Sequence, residues 1–95
     1  MIVGTVRIEL FIPQSQSLKA RRSVVNSIKE RLRNLGASVA EVGDADLWQR
    51  ATLGLALVGG EAGFVDERLA QARRIVDNEF RAQILDWDED VYPVE

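Results

Sequence analysis

Residues 2–12 read IVGTVRIELFI, and every second position, starting with Ile2, is apolar or glycine. Successive side chains of a β-strand point to opposite faces, so this period of two predicts a long strand with one face buried. The intervening residues Thr5, Arg7 and Glu9 are predicted on the other face. Pro13 ends the strand, because proline has no N–H to donate to a sheet.

The apolar period changes after the loop at residues 13–17. From Leu18 to about Leu35 the apolar residues fall within an arc of about 120° on a helical wheel, which predicts an amphipathic helix. Ser17 is a residue type that caps helix N-termini, and Gly36 stands where a C-terminal glycine is common. The sequence thus marks both ends of this helix.

The rest of the chain predicts four further elements. Residues 37–42 form a short strand, followed by turn residues at 43–46 and by a second long strand at 48–58 with its leucines on one face. A second helix is predicted from about residue 62 to residue 80, with Phe80 on its apolar face. Residues 81–88 form the last strand, and residues 89–95 an acidic tail.

The order β-α-β-β-α-β predicts one α+β domain over residues 1–95, a ferredoxin-like sandwich. Its four-stranded antiparallel sheet should have strand order 4-1-3-2, with both helices on one face. The other face should stay open and mix small, apolar and charged groups, with Thr5, Arg7, Gly54 and Ala56 at its centre. RNA-recognition domains of this topology place stacking aromatics there, so an RNA-recognition-type base platform is disfavoured. Small side chains suit the docking of another subunit, and we expect a homodimer.

The composition removes several kinds of catalytic site. The 95 residues include no cysteine and no histidine, which excludes disulfides, thiol catalysis and the usual near-neutral proton shuttle. Gly59-Gly60 is followed by Glu61, which is not a phosphate-binding loop. We therefore expect no catalytic residue, no cofactor and no metal site. An enzyme using Asp86 and Asp88 with a metal stays open, although a solvated acidic edge is favoured for them.

Charge is distributed unevenly along the chain. Residues 1–40 carry a net charge of +5 and the remainder −8, which gives −3 in total. The first helix contributes a stripe of cations beside its apolar arc, with a spacing expected for tracking a phosphate backbone. We name this stripe the basic band: Lys19, Arg22, Lys29 and Arg33. The alternative is a solvated helix face whose long side chains cover core residues.

Arg21 is a fifth candidate contact for nucleic acid, but it falls inside the apolar arc of the helix. From the first turn it could instead reach a carboxylate such as Asp46 or Glu41. Both interpretations stay open at this point.

A second cluster groups an acid, an aromatic, an amide and an arginine at the start of a strand: Asp46, Trp48, Gln49 and Arg50. The favoured interpretation is that Trp48 packs in the fold while Asp46 and Arg50 form a local ion pair. The alternative hypothesis is that the four residues bind a partner.

Three segments resemble the YlxP-like family, which is the bacterial family known as domain of unknown function 503. They read SLKARRSVV at 17–25, VAEV at 39–42 and DLWQRA at 46–51. Ala20 and Arg21 stand where a Glu-Lys pair is common in that family. The resemblance implies a ferredoxin-like fold, no established enzymatic activity, and genes lying beside those of translation and ribosome-maturation factors.

Together these observations predict a non-catalytic module that binds RNA, or a ribosome-maturation or translation partner, through the first helix. The alternative is a structural or regulatory homodimer that associates through the open sheet face without nucleic acid. No apolar stretch approaches the roughly 18 residues that span a bilayer, and no targeting segment is evident. We expect no membrane partner and a cytoplasmic location.

Overall fold

The structure is a computed structural model, and it describes residues 1–13, 16–43 and 49–95. The predicted order of elements is confirmed. In chain order they are β1 (Ile2–Phe11), α1 (Leu18–Arg33), β2 (Ser38–Glu41), β3 (Arg50–Gly59), α2 (Ala62–Asp77) and β4 (Gln83–Pro93).

The strands form one antiparallel sheet in the order β2-β3-β1-β4, which is the predicted 4-1-3-2 order seen from the other edge. Both helices cover the same face, since their apolar residues share one core cluster with the buried positions of β1 and β3. Gly4 lets α2 approach closely, because a Cβ there would lie 2.6 Å from Cγ1 of Val65. The α+β ferredoxin-like class is confirmed.

Both predicted ends of α1 are present. The Ser17 hydroxyl accepts a hydrogen bond from the backbone N–H of Ala20 at 3.1 Å, which satisfies one donor of the first turn. Beyond the other end, Gly36 has a φ of 86°, a left-handed conformation that glycine adopts without strain. Ile28 and Leu32 between them are fully buried against the sheet.

Two boundaries differ from the sequence predictions by three residues or more. β4 continues to Pro93, because residues 89–93 pair with the first half of β1; the acidic tail is therefore mostly strand. The prediction that Phe80 lies on the apolar face of α2 is wrong: the helix ends at Asp77, and Phe80 is 91% exposed. Neither described helix is long and apolar enough to cross a bilayer.

A buried carboxylate ties α1 to the segment between α2 and β4. Glu79 is 5% exposed and accepts hydrogen bonds from Nη2 of Arg31 at 2.5 Å and from Nε of Arg81 at 2.7 Å. The hydrogen bond from the Arg81 side chain is the largest of the effects that lower the pKa of Glu79 from 4.5 to about 2. The ionised form is therefore the one that the fold stabilises.

The Glu79 pKa predicts acid-dependent stability. Because the folded pKa is below the unfolded one, the stabilisation is complete above roughly pH 5 and is lost as the pH falls toward 2. It amounts to on the order of 3 kcal/mol. Urea denaturation over this range should show a smaller acid loss for Glu79→Gln than for the wild type. Glu67→Gln, at an exposed position of α2, is the control, and a wild-type pH profile in Glu79→Gln would contradict the assignment.

Candidate nucleic-acid interface

The basic band lies on the outer flank of α1. Lys19, Arg22 and Arg33 are exposed and Lys29 is partly exposed, while Val25 and Leu32 of the same helix face the core. Within the described residues, none of the four cations forms a salt bridge with a carboxylate. The band is therefore free to attract an external anion.

The dimensions of the band follow from the helix. Its first and last cations, Lys19 and Arg33, are separated by about 20 Å along the axis at 1.5 Å per residue. Nη2 of Arg33 donates a hydrogen bond to the carbonyl oxygen of Val39 at 3.3 Å, which places this end of the band beside the edge strand β2. Arg31 lies on the other side of α1 and is bound to Glu79. A band of this length can contact several phosphates of one strand.

Arg21 is separated from the band by burial. Its side chain is 2% exposed, and Nε donates to the carbonyl oxygen of Arg50 at 2.9 Å. Nη2 forms an ion pair with Oε1 of Glu41, and Nη1 lies 3.5 Å from Oε2 of the same carboxylate. The Glu41 alternative derived from the sequence is confirmed, and Asp46 lies outside the described residues. Arg21 thus presents no charge to a nucleic acid, because the apolar arc that contains it faces the core.

The second candidate cluster is described only in part. Asp46 and Trp48 lie outside the described residues. Nε2 of Gln49 donates to the carbonyl oxygen of Pro13 at 3.1 Å, which links the start of β3 to the end of β1. Nη2 of Arg50 lies 3.9 Å from Oε2 of Glu9 on the open sheet face. Gln49 and Arg50 are exposed, and both also hold neighbouring segments of the fold together.

The open sheet face contains a shallow groove of about 560 Å³. Thr5, Arg7, Gly54 and Ala56 line its floor, with β2 on one side and Asp88 and Asp90 of β4 on the other. The centre of the face thus combines small side chains with the charged Arg7, as the sequence predicted. Over residues 1–13, 16–43 and 49–95, no three acidic side chains converge closely enough to hold a metal ion.

Comparisons with known proteins agree with the resemblance drawn from the sequence. The family model described as "Protein of unknown function (DUF503)" matches residues 3–89. "Uncharacterized protein YlxP" of Bacillus subtilis (strain 168) is 30% identical over 78 residues, which cover 81% of this chain and 85% of the relative. Among solved structures, the "De novo designed protein Ferredog-Diesel" matches with a TM-score of 0.49 at 12% identity, covering 96% of this chain and 84% of that one.

The burial of Arg21 predicts different roles for two adjacent arginines. Arg21→Met leaves the Glu41 carboxylate without its partner and should lower the free energy of unfolding by about 2–4 kcal/mol. Arg22→Met, one position along on the exposed flank, should change it by less than about 0.5 kcal/mol. Urea denaturation measures both. Arg21→Met combined with Glu41→Leu should recover part of the loss, and equal effects of the two single variants would contradict a structural role for Arg21.

Proposed function

Because the chain belongs to the DUF503 family, whose description names no activity, we propose its function from the surface of the domain. The protein is a non-catalytic module of the cytoplasm that binds RNA through the basic band of α1. It does so either directly or as part of a ribosome-maturation or translation complex. The observation that carries this proposal is the absence of carboxylate partners for the band among the described residues.

The charge distribution supports binding of a polyanion at this flank. The chain as a whole has a net charge of −3, so the band is a local concentration of positive charge on an acidic protein. The band lies beside β2, whereas the acidic strand β4 forms the opposite edge of the sheet. A polyanion would be attracted to the first edge and repelled from the second, which favours one orientation of binding.

The side chains of the basic band favour contacts with the phosphates of a nucleic acid over contacts with its bases. Lysine and arginine side chains on a helix flank reach the backbone of a nucleic acid, and the open face has no central aromatic residues on which bases could stack. Binding should therefore depend on RNA shape and charge more than on sequence. The gene neighbourhood implied by the family resemblance favours RNA over other polyanions.

RNA binding through the band predicts a defined salt dependence. Three or four phosphate contacts give a slope of roughly −3 for log K against log salt concentration. Lys19→Gln with Arg22→Gln should weaken binding by roughly tenfold and reduce the slope by about 2. The measurement is fluorescence anisotropy with a short labelled RNA hairpin. Arg33 is left unchanged, because its hydrogen bond to Val39 also supports the fold.

A matched control removes the same charge from the other helix. Arg73→Gln with Arg74→Gln changes two exposed cations of α2 and should leave affinity and slope close to the wild type. If the α1 variant binds RNA as tightly as the wild type, the proposal fails. Equal weakening by the α1 and α2 variants would also contradict it, because binding would then reflect net charge alone.

A homodimer through the open sheet face is the second candidate. The observation favouring it is the small floor at Gly54 and Ala56, which would let two sheets approach. Sedimentation at tens of micromolar tests it, and a strict monomer in the wild type would exclude it. Ala56→Arg, which places a large side chain on the floor, should dissociate a dimer that forms in this way.

A further inference from the structure

β4 carries a row of carboxylates on the open face of the sheet. In its pairing with β1, Asp90 is opposite Thr5, Asp88 is opposite Arg7 and Asp86 is opposite Glu9. Directly opposite residues of an antiparallel pair share a face, so the three aspartates lie on the open face. We name them the acidic row. Glu89 is on the helix face of β4, where the indole N–H of Trp87 donates to it at 2.9 Å.

Among the described residues, no cation forms a salt bridge with the acidic row. The three aspartates are exposed and form no salt bridge with the rest of the described chain. The two arginines of this face are held elsewhere: Nη2 of Arg7 lies 3.2 Å from Oε1 of Glu9, and Arg50 pairs with the other oxygen of Glu9. The row is therefore a negative surface along one side of the groove, with Arg7 of β1 beside it.

The groove itself suits an extended chain. Its volume of about 560 Å³ falls within the usual range for binding clefts. The small side chains of Thr5 and Ala56 let a backbone approach its floor, which also contains Arg7. Alternate residues of β4 are about 6.7 Å apart, so the aspartates are spaced like alternate side chains of another extended strand. A peptide with a cation at every second position would match this spacing.

We infer that the open face is a docking groove for an extended, lysine- or arginine-rich segment of another polypeptide, with its cations on the acidic row. Charge complementarity selects this occupant. A second copy of the domain, packed symmetrically on the same face, would bring a face with the same excess of carboxylates over arginines toward this one, and burying the excess is costly. The groove and the basic band are on different faces, so a polyanion and a basic polypeptide can be bound together.

The test uses the full chain and a labelled synthetic peptide of about ten residues that alternates lysine and serine. Fluorescence anisotropy should show binding that weakens as salt is added. Asp88→Asn with Asp90→Asn should weaken it at least about tenfold. The matched control, Asp66→Asn with Glu67→Gln, removes two exposed charges from α2 and should weaken it less than about twofold. Circular dichroism establishes that both variants remain folded.

Two further comparisons separate shape from charge. Ala56→Phe fills the floor without changing the charge and should weaken peptide binding. A peptide of the same composition, with its lysines grouped at one end, should bind several-fold more weakly than the alternating one, because its spacing does not match the row. The basic-band variant Lys19→Gln with Arg22→Gln should bind the alternating peptide as the wild type does. A failure of this inference can therefore be distinguished from a failure of the RNA proposal.

Three outcomes would overturn the inference. The first is no peptide binding by the wild type at low salt. The second is equal weakening by the β4 and α2 variants, which would mean attraction to net charge alone. The third is a wild-type dimer that Ala56→Phe dissociates, which would make a second copy the occupant of the groove.

Discussion

The buried guanidinium of Arg21 is the interaction on which the surface of α1 depends. It joins the first turn of the helix to Glu41 at the end of β2 and to the carbonyl group of Arg50 at the start of β3. A buried charge requires its partners, so the helix is held in one rotation about its axis. Since Lys19 and Arg22 are one or two positions away along the same turn, their exposure follows from this rotation. The buried, paired Arg21 thus determines the direction in which the exposed cations Lys19 and Arg22 point.

Charges of opposite sign end up on different faces and edges of the domain. The basic band is on the helix layer beside β2, whereas the acidic row is on the open face of β4. The formal charge of −3 conceals this separation, because the contributions largely cancel in the sum. Such a separation favours partners of opposite charge at each face.

The parts of the structure that could be predicted are those in which a local sequence pattern has a single physical cause. The alternation of residues 2–12 arises from one buried face, and the ends of α1 are marked by Ser17 and Gly36.

The position of Arg21 in the apolar arc indicated a carboxylate partner, but the choice of Glu41 depends on how β2 pairs with β3. The burial of Glu79 was not predicted, because it depends on Arg31, which is 48 residues away along the chain, as well as on the nearby Arg81. The exposure of Phe80 depends on where α2 ends, and the length of β4 on its pairing with β1.

The hydrogen bond from Arg33 to Val39 also affects how the sheet meets other chains. A backbone carbonyl of the short edge strand β2 is already satisfied by a side chain, so it offers less of a template for an incoming strand. At the other edge, like charges on β4 would oppose stacking of one molecule on the next. Each edge of the sheet therefore carries a feature that opposes the edge-to-edge pairing from which fibrils grow.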